Sequence, residues 1–212
     1  MATVATLWGI RLTANFYRKG GYSAGEEDYR WAEVRKMFPH PFVQFLFAIG
    51  FVFIAQHLLL WLIALPAHYI SRSPDLSWTD GLLFALYLGL LAMETVADQQ
   101  QWLFHQRKAR KQREDPDVRR GFLTQGLFRF SRHPNFFAEV SMWHVFYVFS
   151  ALGPEGPLNW SLAGPVGLLL IFVASTPLTE RLSSEKYPRY VEYQRTTSRL
   201  IPWLPGEPLK ED

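Results

Sequence analysis

The chain has 212 residues, of which 49% are hydrophobic and 16% aromatic, while only 19% are charged. This apolar content is high for a soluble domain of that length. Because the chain contains no cysteine, a disulfide framework and thiolate-ligated metal sites are excluded. The net charge of +3 arises from Lys and Arg residues that adjoin long apolar blocks, a pattern typical of membrane orientation rather than of nucleic-acid binding.

The first 40 residues predict a helix followed by a polar loop. Residues 2–17 are apolar, but they fall short of the roughly 20 residues that cross a bilayer, and Arg11 interrupts them. We therefore predict a partial or interfacial helix, which lacks the segment order of a cleaved signal peptide. Residues 18–40 are polar and predict a loop at the membrane surface, with a short helix over residues 29–37.

Four longer apolar blocks follow. Residues 41–65 contain no Lys, Arg, Asp or Glu and predict a full transmembrane helix. Further helices are predicted from residue 79 to beyond residue 102, over about 134–152, and over 158–178. The predicted fold class is therefore all-α: a polytopic membrane helix bundle with about four full transmembrane helices and an N-terminal partial or interfacial helix, forming one membrane domain over residues 1–212.

The charges of the connecting segments predict the orientation of this bundle. The loops 66–80 and 153–157 carry one Lys or Arg between them, whereas the segments 18–40, 105–133 and 181–212 are basic. By the positive-inside rule, both termini and the 105–133 loop are expected on the cytoplasmic side. The chain is thus predicted to be a multi-pass integral membrane protein of a bacterial inner membrane or the endoplasmic reticulum.

Polar residues stand out at two places along the predicted helices. Glu94 and Asp98 lie one turn apart near the end of the second long helix, where charges at membrane depth are functional candidates. Asn135 and Glu139 lie one turn apart at the start of the third, just after Pro134, which suits a first helical turn. Basic residues precede that helix start, where phosphate groups can bind: Arg119, Arg120, Arg129 and Arg132.

Two blocks of the sequence carry a resemblance to a known family. The run GLFRFSRHPNFFAE (126–139) and the C-terminal run KYPRYVEYQRTTSRLIPW (186–203) resemble the C-terminal domain of the steroid 5α-reductase family, and most closely its bacterial and fungal membrane branch. The resemblance implies a membrane oxidoreductase of lipid metabolism that uses NADPH to reduce a carbon–carbon double bond conjugated to a carbonyl. The implied partners are a lipophilic, steroid- or isoprenoid-like substrate and membrane lipid, with no nucleic acid.

The same resemblance implies a set of cofactor-binding residues. In the family, an acidic or amide residue and an aspartate contact the cofactor at the places that Glu94 and Asp98 occupy here. The full set that we expect to bind NADPH is Glu94, Asp98, Arg119, Arg120, Arg132, His133, Asn135, Glu139, Tyr187, Arg195 and Arg199. Trp8 falls near the position of a tyrosine that holds the substrate carbonyl in steroid reductases. No catalytic residue and no metal ligand is assigned.

Two other functions fit parts of the pattern. A membrane methyltransferase of the isoprenylcysteine carboxyl methyltransferase type shares an RHP-like motif and a similar tail, and it binds S-adenosylmethionine. A non-enzymatic lipid-binding membrane protein is the third possibility. The pair Asn135 and Glu139 favours the reductase over the methyltransferase, and the number of polar residues at membrane depth argues against a decayed site.

Overall fold

The fold was analysed in a computed structural model that describes residues 1–23, 25, 30–70, 77–154, 156–207 and 209. Within these residues the chain is all-helical and contains no strand. Its helices are α1 (Ala2–Arg18), α2 (Arg30–Met37), α3 (Pro41–Phe47), α4 (Gln56–Ala64), α5 (Pro66–Ile70), α6 (Trp78–Ala109), α7 (Pro116–Arg120), α8 (Pro134–Ala151), α9 (Ala163–Lys186) and α10 (Tyr190–Thr196). The π-helical segment Ala48–Ala55 joins α3 to α4.

Three helical stretches of the described chain are long and apolar enough to cross a membrane. They are Pro41–Tyr69 with 29 residues, Trp78–Ala109 with 32 and Trp160–Lys186 with 27. This confirms the prediction of a polytopic membrane helix bundle. Parts of the predicted loops 18–40 and 66–80, namely residues 24, 26–29 and 71–76, lie outside the described residues.

The predicted third span is helical as expected but is not one of these three. It corresponds to α8, whose 18 residues include Asn135, Glu139 and His144 among the apolar ones. At 1.5 Å per residue α8 is about 27 Å long, slightly less than the hydrocarbon thickness of a bilayer. Its apolar residues face the core, because α8 packs between α6 and α9.

Burial differs sharply between α8 and the outer helices. Along α8, Ala138 and Met142 have no exposed surface, and Trp143 and Phe146 are almost fully buried. The Pro41–Tyr69 stretch instead exposes large apolar side chains over most of its length, including Phe53. A bilayer would cover this outer surface, so the polar residues of α8 are enclosed by protein while the apolar residues of the outer helices face lipid.

The N-terminal helix α1 is a wall of the bundle rather than a separate surface helix. Val4 has no exposed surface and belongs to the main apolar core, whereas Ile10 and Phe16 point outward and are 62% and 49% exposed. The inward side of α1 carries a row of larger polar and aromatic side chains that face α6 and α8. This placement matters because α1 was predicted only as a partial or interfacial helix.

Two glycines allow close approaches that shape the bundle. Gly164 of α9 lies directly against the backbone of Leu62 in α4, so a side chain there would collide with that backbone. Gly121 ends α7 with φ 91°, a left-handed conformation that favours glycine, and it leaves room for the ring of Tyr187. The second contact brings the 105–133 loop against the C-terminal tail.

Candidate functional site

A single guanidinium inside the bundle holds three carboxylates. Arg11 of α1 forms an ion pair with Glu94 and lies 3.0 Å from Asp98 Oδ2, both on α6. Its second terminal nitrogen lies 3.9 Å from Glu139 Oε2 on α8. These side chains are between 6% and 13% exposed. We call the group of Arg11, Asn15, Glu94, Asp98, Asn135 and Glu139 the Arg11 cluster.

Asp98 is the most heavily hydrogen-bonded member of the Arg11 cluster. Besides Arg11, it accepts from Asn15 Nδ2 at 2.8 Å and from Asn135 Nδ2 at 3.5 Å. Lys19 Nζ lies 3.9 Å from Asp98 Oδ1, and the Lys19 side chain is 44% exposed. Asp98 therefore joins α1, α6 and α8, and the structure brings together two of the residue pairs that the sequence predicted separately.

Glu139 has protein partners of its own. Trp8 Nε1 donates to its two oxygens at 3.0 and 2.9 Å, and Trp143 Nε1 donates to Oε1 at 2.8 Å. A carboxylate in an apolar helix was expected to require a partner or a ligand. Two indole N–H groups and the nearby Arg11 meet that requirement and hold the carboxylate in a fixed position.

Three buried polar atoms in and next to the Arg11 cluster have no hydrogen-bond partner among the described residues: Arg11 Nε, Tyr87 Oη and Glu94 Oε2. Tyr87 has no exposed surface and lies two helical turns before Glu94 on α6. It interacts electrostatically with Glu139, Glu94 and Arg11. Leaving a buried polar group unpaired costs about 1–3 kcal/mol, so three such atoms at one place make this a candidate ligand site.

A second buried network lies beside the tail. Arg132 donates to Glu180 through Nε at 2.6 Å and through Nη2 at 3.1 Å, and His133 Nε2 lies 3.1 Å from the same carboxylate. Gln194 Nε2 also donates to Glu180 at 3.1 Å. The polar groups of this network are satisfied by protein atoms, so its evident role is to join the loop, α9 and the tail.

The backbone of the tail is part of that network. Arg132 Nη1 donates to the carbonyls of Gln194, at 2.9 Å, and of Thr197. The Arg132 amide donates to the Ser198 carbonyl at 2.8 Å. The predicted cofactor residues Arg132 and His133 are thus engaged inside the protein, while Arg195 and Arg199 are exposed on the tail. Their assignment to the cofactor stays a prediction.

A basic surface pocket adjoins the tail on its other side. Its volume is about 390 Å³ and it is lined by Pro116, Arg119, Arg120, Lys186, Tyr187, Pro188 and Arg189. Lys108 Nζ donates to Tyr187 Oη at 2.6 Å and to the Gly121 carbonyl at 2.7 Å. Partial burial raises the pKa of the Tyr187 hydroxyl, but the hydrogen bond and charge of Lys108 outweigh it, so this pKa is below its ordinary value. We call this feature the basic pocket.

Helix α6 connects the basic pocket to the Arg11 cluster. Asp98 and Lys108 are ten residues apart on this helix, which corresponds to about 15 Å along its axis. Seven of the predicted cofactor residues therefore form two groups. The inner group consists of Glu94, Asp98, Asn135 and Glu139, and the outer group consists of Arg119, Arg120 and Tyr187. A ligand that touches both groups must be elongated, with a polar end inside the bundle and an anionic part outside it.

Several residues of the site were not assigned from the sequence. Trp8, Arg11 and Asn15 lie on one side of α1, at spacings of three and four residues. Arg11 and Asn15 belong to the Arg11 cluster, and Trp8 donates to its Glu139. That spacing was the sequence signal that could have identified them. Tyr87 had no such signal, because a tyrosine within an apolar helix resembles an ordinary core residue.

The fold and its buried polar cluster define the class of protein: a polytopic helical membrane protein with a polar site enclosed between α1, α6 and α8. The family profile described as "Protein of unknown function (DUF1295)" matches residues 1–197, and the chain belongs to that family.

A relative and the solved structures were also compared with the chain. A protein of Schizosaccharomyces pombe, described as uncharacterised, is 40% identical over 220 residues, which cover 97% of this chain and 63% of the relative. The chain therefore spans less than two thirds of the length of this curated relative. No solved structure matches the chain.

Proposed function

We propose that this protein is a membrane-embedded, NADPH-dependent reductase of a carbon–carbon double bond conjugated to a carbonyl, acting on a lipophilic, steroid- or isoprenoid-like enone. The observation that carries the proposal is the convergence of Arg11, Glu94, Asp98 and Glu139 from three helices at membrane depth. Charged groups in such a position are costly and mark a functional site. The resemblance of residues 126–139 and 186–203 to the steroid 5α-reductase family supplies the type of reaction.

The residues present fit NADPH in their chemistry. The inner group offers carboxylates and an amide, which suit ribose hydroxyls and a carboxamide. The unpaired Glu94 Oε2 belongs to this group, and Arg11 and Tyr87 each add a further unpaired atom next to it. The basic pocket, with Arg119 and Arg120, suits phosphate groups. S-adenosylmethionine carries no phosphate, so the basic pocket favours NADPH over the methyl donor.

NADPH, when bound, supplies a hydride to the carbon β to the substrate carbonyl. The protein has to exclude water, position both reactants and stabilise the negative charge that develops on the carbonyl oxygen. The core around Tyr87 and Trp143 is apolar and closed, which excludes water. Glu139 is held by its indole partners and cannot rotate freely, so it offers a preorganised contact to a ligand.

The experiment uses protein purified in mild detergent. We expect it to bind NADPH and to oxidise it when a conjugated enone of low polarity is added, as followed by NADPH absorbance. Asp98→Asn should weaken binding by more than tenfold, because Asp98 joins all three helices of the site. Binding of S-adenosylmethionine without binding of NADPH would overturn the proposal.

The basic pocket provides a second, independent readout. Arg119→Ala should reduce the preference for NADPH over NADH about tenfold, because a 2′-phosphate would lose a charged hydrogen bond. Arg181→Ala, which changes an exposed arginine of α9 outside the predicted cofactor set, is the matched control and should leave the preference unchanged. Equal affinity of the wild-type protein for NADPH and NADH would show that the pocket does not bind that phosphate.

A further inference from the structure

The unpaired atoms of Arg11, Tyr87 and Glu94 provide both hydrogen-bond donors and acceptors. Arg11 Nε is an N–H donor, Tyr87 Oη donates through its O–H and can also accept, and Glu94 Oε2 is an acceptor. A water molecule could meet part of this pattern. A planar primary amide meets all of it, because its oxygen accepts two hydrogen bonds and its NH2 group donates.

The positions of these residues along α6 place the pattern at the inner end of the polar site. Counted from the basic pocket, Lys108 comes first, Asp98 follows, Glu94 lies one turn deeper, and Tyr87 is two further turns inside the bundle. Beyond Tyr87 the surroundings are apolar, with Val4 and Ile63 in the same core. A polar ligand that enters from the basic pocket therefore ends at Glu94 and Tyr87.

We infer that Arg11, Tyr87 and Glu94 form the subsite for the carboxamide of the nicotinamide ring. Tyr87 Oη and Arg11 Nε donate to the carboxamide oxygen, and Glu94 Oε2 accepts from the carboxamide NH2. This inference rests on the proposed function, since it requires a nicotinamide cofactor. In this subsite Tyr87 would orient the nicotinamide ring. The ring would then face the apolar core, where a lipophilic substrate would lie.

The subsite is closed in this structure, because its three atoms are inaccessible to solvent. Helix α1 is the wall that has to move, since it contributes Arg11 and its outer side, with Ile10 and Phe16, faces away from the bundle.

The test compares NADPH with its 3-acetylpyridine analogue, in which a methyl group replaces the amide NH2. Dissociation constants are measured by titration calorimetry on the purified, detergent-solubilised protein. We expect the wild-type protein to bind the analogue at least about tenfold more weakly than NADPH, because the hydrogen bond to the Glu94 carboxylate is lost. In Glu94→Gln the ratio of the two constants should fall below about threefold.

Tyr87→Phe removes only the hydroxyl. We expect it to weaken both nucleotides by the same factor, about tenfold, because both keep the carbonyl oxygen. The melting temperature of the nucleotide-free protein should not fall, since the hydroxyl has no protein partner. Tyr147→Phe is the matched control: its hydroxyl donates to the Pro157 carbonyl, so it should lower the melting temperature and leave the ratio of the dissociation constants unchanged.

The possible failures are distinguishable. Equal binding of NADPH and its analogue by the wild-type protein overturns the carboxamide subsite and leaves the proposed reductase standing. A Tyr87→Phe variant that binds NADPH normally but loses enone reduction also overturns it, because Tyr87 would then act on the substrate. Absence of NADPH binding to the wild-type protein overturns both the subsite and the proposed function.

Discussion

Trp8 of α1 packs edge-on against Trp143 of α8, with ring centroids 5.0 Å apart and ring planes at 82°. Both indole N–H groups donate to one carboxylate, Glu139, at 2.8–3.0 Å. The two rings and the carboxylate thus form a joint between the N-terminal helix and the central helix of the bundle. Any change at Glu139 therefore acts on this joint.

Glu139→Gln should lower the free energy of unfolding of the nucleotide-free protein by about 1–2 kcal/mol. The amide keeps one acceptor oxygen, but it loses the charge that strengthens both indole hydrogen bonds. Thermal unfolding in detergent measures the change. Asn135→Ala is the milder comparison, because the side-chain hydrogen bond that Asn135 makes within the described part of the chain is long, at 3.5 Å. An unchanged melting temperature together with weaker NADPH binding would show that Glu139 serves the ligand alone.

Arg11→Gln should destabilise the protein by about 3–5 kcal/mol, because it leaves the carboxylates of Glu94, Asp98 and Glu139 without their shared cation. Adding Glu94→Gln to this variant should restore part of the loss by removing one of the three charges. The yield of folded protein and its melting temperature measure both effects.

The control for Arg11 is Arg181→Gln. Arg181 pairs with Glu185 at 3.7 Å on an exposed side of α9, so its loss should change stability by less than about 0.5 kcal/mol. If Arg11→Gln were as mild as Arg181→Gln, the Arg11 cluster would not be the electrostatic centre of the bundle.

Glu180→Gln should destabilise the protein by several kcal/mol, about 3–5, since it leaves the buried Arg132 without its charged partner. Folded Glu180→Gln protein that survives purification should bind NADPH with unchanged affinity. The polar groups of Arg132, Glu180 and His133 form hydrogen bonds with protein atoms in the wild-type structure, so this network is expected to be structural. A loss of affinity without a loss of stability would place Arg132 or His133 in contact with the cofactor, as the sequence had predicted.

The orientation in the membrane is tested with single cysteines, which this cysteine-free chain permits. Leu158 is 88% exposed in the turn before α9, and Arg195 is exposed on the C-terminal tail. We expect a membrane-impermeant thiol reagent, added from the cytoplasmic side, to label Arg195→Cys and to leave Leu158→Cys unlabelled. The opposite pattern would reverse the predicted orientation.

Helical spacing in the sequence singled out four polar residues that lie together in the structure. Glu94 with Asp98, and Asn135 with Glu139, are polar pairs one turn apart in apolar helices, and the structure brings the two pairs together. Arg11 was missed for a physical reason. Within a helix too short to span a bilayer, its charge was interpreted as an interruption, although Trp8 and Asn15 lie on the same side of that helix.

Other parts of the fold depended on contacts that no local pattern reveals. Arg132 and His133 were expected at the cofactor because they precede a helix start, but their partner Glu180 lies 47–48 residues further along the chain. Helix α8 is present over the predicted residues but is not among the three stretches that are long and apolar enough to cross a membrane by length and composition. Its polar groups and its burial make it the inner helix of the bundle.

The hydrogen bonds of Arg132 also constrain the order in which the protein can mature. Its carbonyl partners at Gln194 and Thr197 lie 62 and 65 residues later in the chain. During synthesis, α6 and α8 therefore enter the membrane while Arg132 still lacks these acceptors and must be solvated by water. This end of the bundle can close only after the tail has left the ribosome, so premature termination after α9 would leave a chain in which Arg132 lacks these two acceptors.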